Sequence, residues 1–284
     1  MFVLPALLVV LSLLIYPLIS TTWYSLTSKT LIKPTYAFRG LGNYASVLGD
    51  REFQEAFFTT LRWTFFSLLG QILVGFTAAL CLNRVKQKAA KAVYRILLII
   101  PWAFPSIAIA LVWKWLLNGI YGFLPKLLVD LGITESLAQF LSSADLVLPT
   151  LVAINIWFGA PMIMVNVLAA LQTIPADQYE AAQIDGAQPW QSFRHITIPH
   201  IKVVVGLLVV LRTIWVFNSF DIIYMMTAGG PSGRSTTMSI FIYNLGWVKK
   251  MVGKASAASI LLLLFLLLLC GLYFSVINRW EKEG

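Results

Sequence analysis

The chain has 284 residues, of which 59% are hydrophobic and 12% are charged, and its mean hydropathy is +0.81. Soluble domains carry about 25% charged residues, so a buried core does not explain this composition. The formal net charge is +9, but the Lys and Arg residues lie in short loops between apolar segments, where they set membrane topology rather than bind phosphate. We therefore predict a polytopic membrane protein that binds no nucleic acid.

Several apolar stretches reach the length of about 20 residues that is needed to cross a bilayer. They predict an all-α membrane protein in which residues 1–284 form one transmembrane domain. Cys81 and Cys270 both fall within apolar stretches and predict neither a disulfide framework nor a metal site. The six predicted helical spans are Phe2–Trp23, Thr59–Leu82, Val93–Leu117, Leu146–Leu171, Ile201–Met226 and Ser256–Asn278.

The density of basic residues predicts the orientation. The short loop after the second span contains a cluster of basic side chains, Arg84, Lys86, Lys88, Lys91 and Arg95. By the positive-inside rule this loop is cytoplasmic, and an even number of spans then places both termini in the cytoplasm. The longer first loop also carries Lys and Arg and would be external, which runs against the rule.

Segments around the third and fourth spans show two further features. Apolar residues among scattered charges over 121–143 fit an interfacial amphipathic helix or two, and an ordinary capping loop is the open alternative. Prolines within the spans remove backbone hydrogen bonds and kink helices, which favours central packing of both spans around a pathway. Simple packing kinks are the other interpretation. The prolines are Pro101, Pro105, Pro149 and Pro161.

Residues 174–199 predict a short helix, a glycine turn and a second helix on the cytoplasmic side. Asp177 followed by Glu180 fits a capping box at the start of the first helix. Gly186 fits the left-handed position just past a helix end. Pro189 suits the first turn of the second helix, which Pro199 would end.

This segment resembles the EAA loop of ATP-binding-cassette importer permeases, whose pattern reads E-A-A, two residues, D-G-A, then F and a later I-x-x-P. The matching residues are Glu180, Ala181, Ala182, Asp185, Gly186, Ala187, Phe193 and Ile196 through Pro199. The resemblance implies the type I importer permease fold, with six transmembrane helices and a cytoplasmic coupling helix that sits in a cleft of an ATPase subunit. An amphipathic cytoplasmic loop is the plainer alternative.

Other stretches are similar to the sugar branch of these permeases, typified by maltose and trehalose systems: Trp113-Lys114-Trp115, Gly159-Ala160-Pro161-Met162 and Phe217 through Asp221 with Gly229-Gly230-Pro231. The chain lacks the large external insertion of the enterobacterial maltose permease. The resemblance implies a sugar substrate, a second permease subunit in a heterodimer, two ATP-binding subunits and an extracytoplasmic solute-binding protein. It also implies a multi-pass protein of the plasma or inner membrane, surrounded by lipid.

Polar residues in the fifth span are candidates for the transport pathway. At about 100° per residue, Asn218 and Asp221 share one face of a helix, and Arg212 lies off that face. Sugars are held by hydrogen bonds and aromatic stacking, and the resemblance places sugar on the stretch matched here by Phe217 and Asn218. The predicted pathway residues are Phe217, Asn218, Phe220, Asp221 and Tyr224.

Structural roles are the alternatives for these polar residues. Asn218 and Asp221 could serve only as hydrogen-bond partners between helices. The role of Arg212 is undetermined from the sequence. Its favoured hydrogen-bond or ion-pair partner is a helix-end carbonyl or a carboxylate of a partner subunit. Asn155 and Asn166 are weaker candidates of the same kind.

The chain lacks the motifs of an enzyme. No G-x-x-x-x-G-K-[ST] phosphate loop occurs, so we expect no cofactor here and ATP bound by partner subunits. No nucleophile–base pair, paired-carboxylate or metal motif appears, so no catalytic or metal-binding residue is predicted. A secondary transporter driven by an ion gradient is the rival hypothesis, but Asp221 is the only acidic residue in a span and no internal repeat is evident. A membrane-embedded enzyme is a third option without candidate residues.

Overall fold

The computed structural model describes the backbone of residues 4–282 and the side chains of residues 7–277. Within that range the protein is built from helices, with one isolated bridge between Thr27 and Phe38. The helices are α1 (Leu4–Ser25), α2 (Gly42–Leu48), α3 (Arg51–Arg84), α4 (Lys88–Ala103), α5 (Ser106–Leu116), α6 (Phe123–Asp130), α7 (Val147–Leu171), α8 (Ala176–Ile184), α9 (Pro189–Ser192), α10 (Ile198–Phe217), α11 (Asp221–Thr227), α12 (Met238–Tyr243) and α13 (Val252–Lys282). Single π-helical segments follow α9 (Phe193–Thr197) and α12 (Asn244–Val248).

Five helical segments of the described residues are long and apolar enough to cross a membrane, and the bent pair α4 and α5 makes up to six. The predicted spans fall on these segments, although the first predicted span begins at Phe2, outside the described residues. Helix α3 has 34 residues and starts eight positions before the predicted span. At 1.5 Å per residue it is about 51 Å long, which exceeds the hydrocarbon thickness.

The third predicted span consists of two helices that meet at Pro105, a sharper change of direction than the predicted proline kink. Helices α4 and α5 meet at an angle of 90°. Phe104 adopts an extended conformation (φ −91°, ψ 150°) because the ring of Pro105 disfavours the helical region for the preceding residue. The 121–143 segment contains only the short helix α6 followed by turns.

The contacts divide the chain into two compact units, so the prediction of one transmembrane domain stays a prediction. One unit comprises the residues up to Thr60 together with Thr236–Leu269. There the buried side chain of Asn43 donates to the backbone oxygens of Ser25 (2.8 Å) and Thr27 (2.7 Å). These bonds satisfy carbonyl groups where α1 ends, which a helix cannot pair by itself.

The second unit comprises Leu61–Ser235 and the chain from Cys270 onward, and α7 lies at its centre. The most apolar stretch of α7 is 61% buried, and its residues form a core cluster with the ends of α3 and α10. Gly75 allows the close approach, because a Cβ there would lie 2.6 Å from the Ala160 oxygen and the Ile163 Cβ. Central packing was predicted for two spans and is observed for α7, whereas most side chains of α4 and α5 are exposed.

Candidate translocation site and coupling segment

Helix α8 contains the E-A-A residues but does not begin with the predicted capping box. Its N-cap residue is Pro175, which offers no side-chain cap. Asp177 lies inside the first turn, where its carboxylate accepts from the neighbouring Gln178 N–H at 3.0 Å. The capping-box prediction was therefore wrong, since the helix starts before Asp177. A carboxylate in the first turn still favours the helix through its dipole.

The glycine turn has the predicted geometry. Gly186 has φ +78°, the left-handed conformation that glycine adopts without a Cβ penalty. The Ala187 N–H donates to the Ala182 oxygen (2.8 Å) and the Gly186 N–H to the Gln183 oxygen (3.1 Å). These two bonds are the Schellman pattern that ends a helix, so Gly186 directs the chain sharply out of α8.

The second helix begins as predicted but does not end as predicted. Pro189 is its first residue, and the Gln188 N–H is accepted by the Gln191 side-chain oxygen at 2.7 Å. Helix α9 continues through the π-helical segment directly into α10, in which Pro199 is the second residue. Pro199 does not stop the helix, because the missing N–H is tolerated in a first helical turn and the wider π turn precedes it.

One contact anchors this coupling segment, which we define as residues 176–197, to the transmembrane helices, and a second contact closes the segment on itself. The ring of Phe193 stacks on Trp190 (5.6 Å between centroids) and meets Phe76 of α3 edge-on at 6.3 Å. The hydroxyls of Tyr179 and Thr197 are hydrogen-bonded at 2.8 Å. Phe193 thus faces the transmembrane helices and fixes the segment in place.

The outer surface of the coupling segment is exposed. Glu180, Ala181, Asp185 and Gly186 are exposed, while Ala182 and Ala187 are half-buried. Two large apolar side chains also lie open, with Ile184 87% and Trp190 66% exposed. Small residues beside open apolar ones form a surface on which another backbone can approach closely.

The coupling segment lies at the end of the molecule that carries the basic loop. Asn83 and Arg84, at the end of α3, line a cavity of about 410 Å³ together with Gln183 and Ala187. The density of basic residues predicts a cytoplasmic position for this loop. The coupling segment therefore lies on the same side of the membrane as this basic loop.

A second cavity, which we call the polar cavity, lies near the opposite end of α10 and has a volume of about 420 Å³. Binding pockets for small molecules usually have volumes of 300–1,000 Å³. Its lining combines aromatic rings with hydrogen-bonding groups and one side chain of each charge. The lining residues are Trp102, Ser106, Asn155, Phe158, Arg212, Trp215, Val216, Asn218, Ser219, Phe220, Asp221 and Ile222.

Three of the five predicted pathway residues line the polar cavity, namely Asn218, Phe220 and Asp221. Phe217 does not, because its side chain is only 1% exposed. Tyr224 is also not part of the lining and stacks on Phe220, with 4.7 Å between the ring centroids.

The reasoning that placed Asn218 and Asp221 on one helix face was wrong, because the helix does not continue through them. Helix α10 ends at Phe217, and α11 begins at Asp221. The Asn218 amide donates back to the Ile214 oxygen (2.9 Å), and Asp221 accepts from the Ser106 hydroxyl (2.8 Å). The break in the helix, rather than a continuous face, brings both residues to the cavity.

Arg212 has a partner that the sequence did not indicate. The side-chain oxygen of Gln71 accepts from Nε (3.0 Å) and Nη2 (2.6 Å) of Arg212, and no helix-end carbonyl among the described residues takes that place. The other predicted partner, a carboxylate of a partner subunit, stays a prediction. Gln71 and Trp102 were not candidates, although a glutamine within an apolar span is a detectable signal. Asn155 also lines the cavity, whereas Asn166 bonds the Met162 oxygen of its own helix (2.8 Å).

The protein is helical, with a polar cavity near one end of α10 and an exposed helix–glycine–helix segment at the other end. This is the architecture of a transport permease. The chain belongs to the family described as "Binding-protein-dependent transport system inner membrane component", which matches residues 71–282. It is therefore an integral membrane component of an ATP-binding-cassette importer, and its relatives are named as permease subunits.

Individual relatives agree with the family. The chain is 37% identical to the "Trehalose/maltose transport system permease protein MalF" of Thermococcus litoralis, over 99% of this chain and 93% of that protein. It is 32% identical to a "Probable ABC transporter permease protein" of Brucella suis, over 99% and 96%. The structure of a bacterial importer of the acidic polysaccharide alginate superposes with a TM-score of 0.85 at 25% identity, covering 98% of this chain and 94% of that one.

Proposed function

We propose that this permease subunit imports a sugar and that the polar cavity is the place where the sugar passes. The observation that carries the proposal is the composition of the cavity, in which Trp102, Trp215 and Phe220 accompany Asn218 and Asp221. Aromatic rings cover the apolar faces of sugar rings, and amide and carboxylate groups bond their hydroxyls. Two relatives are named for carbohydrate substrates, trehalose and maltose in one case and the polysaccharide alginate in the other.

The proposed partners follow from the same family. A second, different permease chain would complete the pathway, two ATP-binding subunits would supply energy, and an extracytoplasmic solute-binding protein would deliver the sugar. This chain would bind no ATP itself, and both of its termini would face the cytoplasm. The exposed surface of α8, with Glu180 and Asp185, offers carboxylates to basic groups of an ATP-binding subunit.

Helix α10 links the two sites mechanically. It runs for 20 residues, about 30 Å, from the anchored coupling segment to the break at Asn218. Closure of the ATP-binding subunits would pull the Glu180–Ala187 element and reorient α10, which opens the pathway outward. Return of the subunits after hydrolysis would release the sugar inside.

Uptake by the complete complex in proteoliposomes tests the sugar assignment. Labelled trehalose, maltose and longer oligosaccharides are supplied with the solute-binding protein and ATP. Asn218→Ala is expected to raise the KM for sugar uptake, and Asn166→Ala, outside the cavity, is the matched control. Unchanged affinity and selectivity in Asn218→Ala would contradict the assignment of the cavity.

The energy source separates this proposal from an ion-gradient transporter. Uptake should require ATP inside the liposomes and should persist when an ionophore removes ion gradients. Uptake driven by an ion gradient without ATP would establish the rival function.

A further inference from the structure

Gln71, Arg212 and Asn155 form a buried polar cluster at the wall of the polar cavity. Gln71 is 0% exposed, Asn155 is 4% exposed and Arg212 is 6% exposed. Among the described side chains Arg212 forms no ion pair, and its hydrogen bonds go to the Gln71 oxygen and, at 3.7 Å, to the Met162 sulfur. A buried cation that forms no ion pair is costly and is usually kept for a function.

The orientation of the guanidinium is set by Gln71. The Gln71 amide nitrogen donates to the backbone oxygen of Asn155 at 2.9 Å, which leaves the amide oxygen directed at Arg212. Gly159 provides the space, because a Cβ there would collide with Arg212 Nη2 and the Gln71 amide. Arg212 has five N–H groups in a rigid fork, so the two that Gln71 accepts leave others for a ligand.

Asn155 supplies an independent sign of a ligand. It lines the polar cavity, yet its amide nitrogen has no hydrogen-bond partner among the described residues. A buried donor left without a partner costs about 1–3 kcal/mol. The nitrogen and oxygen of an amide are nearly equal in shape, so a ligand in the cavity that offers an acceptor would favour the orientation in which the nitrogen faces it.

The charges around the cavity indicate the class of ligand. Among the described residues that line the cavity, only Arg212 and Asp221 are charged, so the formal charges of this lining cancel. A ligand with its own net charge would leave one charge uncompensated in a low-dielectric site. The ring of Trp215, 5.8 Å from the Arg212 guanidinium carbon, adds an apolar face beside the donors.

We propose that Arg212 and Asn155 bind the substrate directly, donating hydrogen bonds to the oxygens of a neutral sugar, and that Gln71 is the positioning residue for Arg212. This inference rests on the proposed function and specifies its substrate class and two recognition residues. It predicts that substrate hydroxyls donate to Asp221, which lines the same cavity, since a carboxylate only accepts.

A purely structural role for the cluster makes different predictions. If Gln71 and Arg212 only joined α3 to α10, their variants would lower the stability of the complex and slow the uptake of every sugar alike. A recognition role instead changes the KM of some sugars more than that of others, so the selectivity among sugars changes.

The test uses the complete reconstituted complex with the Asn155→Leu, Arg212→Lys, Gln71→Leu and Gln71→Glu variants, and Asn166→Leu in the same helix as control. Loss of one hydrogen bond to the sugar should raise the KM about tenfold in Asn155→Leu and Arg212→Lys. Gln71→Leu should do the same. Gln71→Glu should recover the KM only in part, because its carboxylate still accepts from Arg212 but cannot donate to the Asn155 backbone oxygen. The control should keep the wild-type KM.

The outcomes separate the two levels of the proposal. If the wild-type complex imports sugars while Asn155→Leu and Arg212→Lys keep their KM and selectivity, the inference is overturned and the proposed function stands. Better uptake of a uronate oligosaccharide than of its neutral counterpart overturns the neutral class. If the wild-type complex imports no sugar, the proposed function itself fails.

Discussion

The Tyr179 hydroxyl of α8 is hydrogen-bonded to the Thr197 hydroxyl immediately before α10, at 2.8 Å. The two residues are 18 positions apart, and the glycine turn lies between them. The bond therefore closes the coupling segment into a loop with α8 braced against the base of α10. A force applied to the exposed face of α8 reaches α10 through this brace as well as along the backbone.

Removal of this brace should loosen the coupling of ATP hydrolysis to transport. Tyr179→Phe deletes one hydroxyl and costs about 1 kcal/mol of stability. We expect fewer sugar molecules imported per ATP hydrolysed, with sugar affinity unchanged. Simultaneous assays of uptake and phosphate release in proteoliposomes measure this ratio. Tyr94→Phe, an exposed position of α4, is the control, and an unchanged ratio in Tyr179→Phe would show that the brace is dispensable.

The left-handed turn at Gly186 should be needed for docking of the ATP-binding subunits. Gly186→Ala forces a Cβ into φ +78° and costs about 1 kcal/mol, although nothing else lies within 4 Å. We expect weaker retention of the ATP-binding subunits during affinity purification of the complex. Gly132→Ala has the same kind of strain at φ +69° with open space around it, away from the coupling segment. Equal retention in both variants would argue against a role for the turn.

The anchoring role of Phe193 predicts a stability effect in addition to an effect on coupling. Phe193→Ala removes the ring contacts with Trp190 and Phe76, and edge or stacked ring pairs contribute about 0.5–1.5 kcal/mol beyond burial. We expect a lower thermal transition of the purified chain in detergent, with partial recovery in Phe193→Leu. Phe274→Ala, with a 46% exposed ring, should change the transition little. Similar transitions for Phe193→Ala and wild type would contradict the anchoring.

The space left by Gly159 should be essential for the Gln71–Arg212 pair. A Cβ at this position meets both side chains, so Gly159→Ala must separate them. We expect a raised KM for sugar uptake together with lower thermal stability. Gly271→Ala is the matched control, because nothing lies within 4 Å and alanine favours a helix over glycine by about 1 kcal/mol. Wild-type behaviour of Gly159→Ala would show that the pair tolerates displacement.

Features encoded within a few neighbouring residues could be predicted from the sequence. Apolar runs marked the helices that are long enough to span a membrane, because hydrocarbon thickness sets a length that composition alone reveals. Gly186 and Pro189 marked a helix end and a helix start, since both act through their own backbone conformations. The position of Pro105 predicted a kink in the third span, but it did not predict a bend as large as 90°.

Features that join distant parts of the chain required the tertiary structure. Gln71 and Arg212 are 141 residues apart, and no periodicity relates an amide in α3 to a cation in α10. Phe217 at the end of α10 is buried in the core, and the break after it brings Asn218 and Asp221 to the cavity. A helical wheel, which assumes a continuous helix, could not show this. Local backbone preference thus identified the helices and turns of this permease, whereas the packing of helices against one another selected which polar side chains meet.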